Sequence, residues 1–168
     1  MTTPAPPLTI IQTLLSLLVG GDFGPAPLTS GTTVSQEGQY LVHIDATDCS
    51  NLQSVQNLTF YIDLTAPIVD DAALAGDAAP NPAWFKSPVG VTITAQDPKL
   101  RSTPGSPSDI AGSGVKEIRY FAVGAQPMGD SGNPIVVSGA SAAFTVNVEG
   151  VTTITYWSVD NAGNASSP

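Results

Sequence analysis

The chain has very little cysteine, little positive charge and little charge of any kind. Cys49 is its one thiol, so no disulfide can form within the chain. That poverty fits a bacterial secreted protein and a cytosolic protein alike, and leaves the redox compartment open. Lysine and arginine number 5 against 14 acidic residues, and none precedes Lys86. A net charge of −9 repels phosphate backbones, which argues against nucleic acid as a partner and makes divalent cations natural ones. Long hydrophobic runs are scarce too. The most apolar stretch, LTIIQTLLSLLV at 8–19, is shorter than the ~20 residues of a membrane-spanning helix. The MTTPAPP ahead of it lacks the basic residues of a signal peptide. It reads as a buried strand or a short helix, and no other stretch shows a helical period.

A catalytic apparatus is also missing from the pattern. His43 is the only histidine, and it falls on the polar side of its strand. A Ser-His-Asp or Cys-His centre needs an oriented base beside a nucleophile, and no nucleophile elbow accompanies it. There is no glycine-rich phosphate loop and no Cys/His cluster of metal-ligand spacing. Acidic residues are plentiful, but Asp70-Asp71 are adjacent in a linker-like segment and most others sit at strand ends, where aspartate commonly shapes turns through hydrogen bonds to nearby backbone. The sequence therefore reads as non-catalytic.

What is present is turn-formers and short alternating runs. With 42% apolar residues, 16 glycines and 15 prolines, the composition predicts an all-β protein of many short strands. The run EGVTTITYWSVDNAGN (149–164) has a turn, an alternating strand and an Asp/Asn/Gly loop. The same frame occurs as EGQYLVHIDATDCSN (37–51), at an offset of 112 residues. Val42, Ile44 and Ala46 share one face of the first strand; Ile154, Tyr156 and Ser158 share one face of the second. This period places Tyr156 inside and Thr155 outside. Further strands are predicted at SVQNLTFYID (54–63), VGVTITAQD (89–97), VKEIRYFAV (115–123), PIVV (134–137) and AAFTVNV (142–148). LTAP (64–67) is the expected linker and 98–114 a long loop.

The frame EG-x9-D with N-A-G-N, followed in the first copy by Phe60-Tyr61-Ile62-Asp63-Leu64-Thr65-Ala66-Pro67, resembles tandem bacterial immunoglobulin-like domains of extracellular proteins. Trp84, the VTITAQD strand and Ser113-Gly114-Val115 leading to Ile118 and Tyr120 are similar to the first half of such a domain. The resemblance covers about residues 30–168 and implies immunoglobulin-like β-sandwiches in tandem: a partial first domain at 1–66 and a second at 67–168. Trp84 is then expected as a core plug. The first copy departs from the pattern, with DCSN (48–51) lacking the loop glycine.

Several expectations follow. Shifting the second copy back by 112 residues sets Ser113 on Met1, so the first sandwich lacks its N-terminal strands and the second its last strand. Strands of neighbouring domains or adjacent subunits are expected to fill the gaps, with LTIIQTLLSLLV the segment to be donated. In such sandwiches two sets of loops share one end. That gathers Asp97, Asp109, Asp160, Asn161 and Asn164, with Asp63 from the linker and Glu37 from the facing turn, as a candidate interdomain calcium site. Trp157 is the candidate glycan-stacking residue, with packing against a neighbouring domain or loop as its structural alternative. The functional expectation is a spacer, stalk or fibre body of an extracellular or cell-surface protein. A carbohydrate-binding accessory module and a subunit of a fibre or viral appendage stand behind it.

Overall fold

The computed structural model describes residues 9–17, 26–27, 31, 33–48, 50–81, 83–100 and 110–168, the first two segments by backbone alone. No helix occurs among them; the chain is all-β, with several sheets. It divides into two compact units, Met1–Asp63 with Lys99–Ile110, and Leu64–Pro98 with Ala111–Pro168.

The first unit is a four-stranded antiparallel sheet of β1 (Thr9–Leu17), β2 (Ala26–Pro27), β3 (Gly38–Thr47) and β4 (Gln53–Ile62), in the order β2-β1-β3-β4. The apolar run is thus a strand, hydrogen-bonded within its own chain to β3, with a register shift between Ile10 and Gln12. β3 and β4 pair without interruption from Gly38↔Ile62 to Thr47↔Gln53. Tyr40 anchors the inner face. It is buried, stacks on Phe60 with ring centroids 5.0 Å apart, and donates its hydroxyl to the Gln36 carbonyl at 2.7 Å. Burial raises its pKa above 10.0, the backbone hydrogen bond opposing in part. Leu100, from the Lys99–Ile110 segment, is buried as well, and its N–H donates to the Ile110 carbonyl at 3.0 Å.

The second unit contains β5 (Ile68–Val69), β6 (Ala73–Ala75), β7 (Val89–Gln96), β8 (Val115–Gly124), β9 (Ile135–Ser138), β10 (Ser141–Val146) and β11 (Thr152–Asp160). One sheet runs β10-β7-β5, with β6 also on β7; the other runs β11-β8-β9. Strict alternation puts Val91, Ile93 and Ala95 inside on β7 while Thr92, Thr94 and Gln96 face water. They meet Ile118 and Tyr120 of β8 and Ala142 of β10 in one core, flanked by Ile154 and Tyr156. Full burial of side chains such as Ile93 and Ile118 stabilises by about 1.5–3 kcal/mol each. Tyr120 stacks on Phe144 at 4.3 Å, tying the two sheets together. Tyr156 reaches β5's side of the core, where its hydroxyl accepts the Ala72 N–H at 3.2 Å.

The order β9-β8-β11 in the second unit follows the order β2-β1-β3 in the first. The repeat visible in sequence is therefore also a repeat of strand order.

Two expectations need correction here. Trp84 is no core plug but 63% exposed. Ala79 N–H donates to the Trp84 carbonyl at 2.7 Å and Trp84 N–H to the Asn81 carbonyl at 3.3 Å, with Ala83 between them at φ 64°. This tight reversal turns Phe85 inward in its place: Phe85 is half-buried and its ring occupies the space beside Gly76 that a side chain there would fill. Thr155, expected outside, is half-buried, because Phe121 lies directly opposite it on β8. Tyr156 does face the core, though it too is half-buried rather than sealed.

Candidate functional site

The most ordered polar constructions are the two loops that close the repeated strands. In the second unit Asp160 is fully buried. Its Oδ1 accepts the N–H groups of Gly163 at 2.6 Å and Asn164 at 2.7 Å, and its Oδ2 accepts Asn164 Nδ2 at 2.8 Å. Its own N–H donates to the Asn164 carbonyl at 3.0 Å, and Gly163 N–H donates to its carbonyl at 3.3 Å. In the first unit Asp48 repeats the arrangement. Its N–H donates to the Leu52 carbonyl at 3.0 Å, Asn51 N–H donates to its carbonyl at 3.0 Å, and its Oδ1 accepts Leu52 N–H at 2.9 Å. Leu52 and Asn164 are equivalent under the 112-residue offset, as are Asn51 and Gly163.

The missing glycine of the first copy is thereby accounted for. Gly163 has φ 99° and Asn51 has φ 61°, one of only two non-glycine residues with positive φ among those described. Asparagine is the side chain that best tolerates left-handed backbone, so it serves where glycine serves in the second loop. The turn before each strand repeats too, with Gly38 at φ 150° and Gly150 at φ 126°.

At the end of the second unit the Asp160 loop interlocks with its neighbours. Asn161 Nδ2 donates to the carbonyls of Ser113 at 2.9 Å and Gly114 at 3.0 Å, and Ala162 N–H donates to Ser113 Oγ at 3.1 Å. Gly114 N–H in turn donates to Asp97 Oδ2 at 2.6 Å. Asp97 and Asp160 bring carboxylate oxygens within 4.8 Å of one another. Hard oxygen donors at that spacing suit calcium, which takes six to eight of them. Asp160 also has a complete structural role without an ion, since three amide donors already use its oxygens.

Of the residues expected at a calcium site, Asp97, Asp160, Asn161 and Asn164 share this end of the second unit. Glu37 and Asp63 belong to the first unit, and Asp109 lies outside the described residues. Asn161 and Asn164 turn their amide nitrogens, not their oxygens, to the partners given above. Trp157 is half-buried on the outward face of β11 and meets Phe121 edge-on, with centroids 6.4 Å apart and planes at 72°. A T-shaped pair leaves no flat double platform for a sugar, so packing is the plainer account of Trp157. On the same face Arg119 pairs with Glu117, Nε to Oε1 at 2.7 Å. Sequence reading passed over Phe121 and this pair, although the two-residue period of β8 places Glu117, Arg119 and Phe121 on one side.

His43 stands on the outward face of β3, its Nδ1 2.6 Å from Asn57 Oδ1 and its Nε2 3.2 Å from Asp45 Oδ2. With acceptors at both ring nitrogens the protonated ring fits best, and its pKa is raised above 6.5, chiefly by the Asn57 bond, with desolvation opposing and Asp45 adding to the rise. No nucleophile stands among these partners. An open depression of about 450 Å³ on the second unit is lined by Val69, Ile154, Thr155, Tyr156, Ser167 and Pro168, which include no carboxylate, imidazole or thiol. No protein family, curated protein or solved structure matches the chain.

Proposed function

We propose that this chain is a non-catalytic structural segment, a spacer, stalk or fibre body, of a larger bacterial extracellular or cell-surface protein built from immunoglobulin-like sandwiches in tandem. The observation that carries the reading is the recurrence of one loop, with three hydrogen bonds in common, at the same place in both units. A protein that repeats a structural closure while its polar side chains serve turns and strand ends invests in shape. The low charge, the abundance of turn-formers and the resemblance of the EG-x9-D frame to such arrays support the same conclusion.

Electron microscopy of the intact parent protein tests it: elongated or fibrous particles containing this segment are expected, and a compact particle with the segment lining a catalytic cleft would refute the reading. Glycan-array screening separates it from the carbohydrate-binding alternative. Binding that disappears in Trp157→Ala would transfer the assignment to an accessory module. Calcium is proposed as the ion that Asp97 and Asp160 would take, because their carboxylate oxygens lie within 4.8 Å of one another. Calorimetric silence on calcium titration, with a melting temperature indifferent to chelator, removes the ion and leaves the structural role standing.

A further inference from the structure

Among the described residues β4 is hydrogen-bonded on one side only, to β3, and it closes the sheet order β2-β1-β3-β4. Its other side therefore carries a row of backbone donors and acceptors along ten residues, QSVQNLTFYI. Exposed edges are normally blunted by charge, proline, brevity or a bulge. β4 has none of these: no charged residue, no proline, no glycine, and an unbroken register. The other sheet ends differ. β2 and β5 have two residues each, β2 including Pro27, β6 has three, β9 four and β10 six, while β11 ends on Asp160 and is bridged at Val159 by Ala165.

Exposed apolar side chains on this strand follow a pattern. Val55 is 49% exposed, Leu58 58% and Tyr61 58%, and they are spaced symmetrically about Leu58. Val55 and Tyr61 share one face of the strand and Leu58 lies on the other, and the spacing on both faces is symmetric about Leu58. This spacing fits the strand's own copy run antiparallel.

We propose that the outer edge of β4 pairs with β4 of a second copy of this chain, antiparallel, about a two-fold axis through Leu58. An axis normal to the sheet keeps each face on its own side, so residues of equal parity meet. Leu58 then opposes Leu58 of the second copy, Val55 opposes Tyr61, Asn57 opposes Thr59, and Gln56 opposes Phe60. Aromatic against β-branched and leucine against leucine are favourable cross-strand pairs. The strand is also free of charge in a chain of net charge −9, so two copies meet here without opposing like charges. The proposal rests on this edge alone and holds or fails independently of the spacer reading.

The 168-residue chain is examined by sedimentation equilibrium across concentrations up to the millimolar range, beside Leu58→Lys. Leu58 is well exposed, so the variant should keep its fold, which circular dichroism and thermal melting verify. A dimer is expected for the parent, and Leu58→Lys, which sets two ammonium groups face to face on the axis, should raise its dissociation constant about tenfold or more. In a Cys49→Ser background, Leu58→Cys should oxidise to a covalent dimer. Val55→Cys should not, because its counterpart on the second copy lies six residues along the ladder, roughly 20 Å away. A monomer at every concentration, a dimer indifferent to Leu58→Lys, or equal cross-linking from positions 55 and 58 would each overturn the proposal.

Discussion

Replacing Asp160 and Asp48 by alanine separates what a shared loop pattern does from what burial does. Asp160→Ala deletes a carboxylate that accepts three N–H groups at 2.6, 2.7 and 2.8 Å in a fully buried position. Hydrogen bonds to a charged group contribute about 1.5–3 kcal/mol each, and their donors are left with the desolvation penalty once the acceptor has gone. Simple addition overstates the loss, since relief of the close approach to Asp97 and partial entry of water offset some of it. The expected destabilisation is about 3–5 kcal/mol. Among the described residues the Asp48 carboxylate accepts Ser50 and Leu52 N–H, at 2.8 and 2.9 Å, and both donor residues are exposed. Water replaces the lost acceptor there, so Asp48→Ala should cost about 1 kcal/mol. Urea unfolding followed by tryptophan emission reports the second unit, because Trp84 and Trp157 both lie in it. Amide hydrogen exchange along β3 reports the first. Equal losses for the two variants would show that the backbone pattern, and not burial of the carboxylate, decides the strength of the loop.

Three further outcomes are expected. Gly163→Asn should change stability by less than about 1 kcal/mol and Gly163→Val should cost about 2 kcal/mol, since a Cβ there meets nothing within 4 Å and only backbone strain is at issue; equal denaturation midpoints would refute the equivalence with Asn51. Tyr156→Ala should cost about 3 kcal/mol and Tyr156→Phe about 1, the latter for the Ala72 bond, against about 0.5 for Thr155→Ala; urea midpoints in any other order would reverse the faces assigned to β11. His43 should titrate above 6.5, and Asn57→Ala should bring it down, as read from its ring protons by NMR. Because the folded pKa is raised, the contribution of this group to stability is complete below the unfolded value near 6.5 and disappears as pH rises through the folded one.

The sequence made the strands readable wherever one face is sealed and the other wet. On β7 a core pressing from one side leaves Val91, Ile93 and Ala95 no alternative but to alternate with Thr92, Thr94 and Gln96. The paired loops were readable for a related reason: an aspartate that folds its own backbone back needs its partners at fixed distances along the chain. Harder to read was the replacement of glycine by Asn51, because a left-handed residue is a property of φ, and composition registers only the absence of glycine. Trp84 misled because size argues for burial, while the direction of a side chain is set by the turn beneath it. Thr155 is covered by a neighbour on another strand, Phe121, and cross-strand register is a long-range fact. The carboxylates of Asp97 and Asp160 were named from their places in loops, but their approach to within 4.8 Å depends on how three loops interlock.

The membership of Lys99–Ile110 in the first unit has a consequence for the order in which the protein is made. A nascent chain emerges from its N-terminus, and domains generally fold as units once their residues are available. Here β1 to β4 are all synthesised by Ile62, yet buried Leu100 and its partner Ile110 arrive only after the whole of β7. The described residues of the first unit are thus synthesised in two instalments, with β5 to β7 of the second unit between them. A pause in translation between Ile62 and Ile110 would lengthen the interval in which the first unit exists without Leu100 and Ile110.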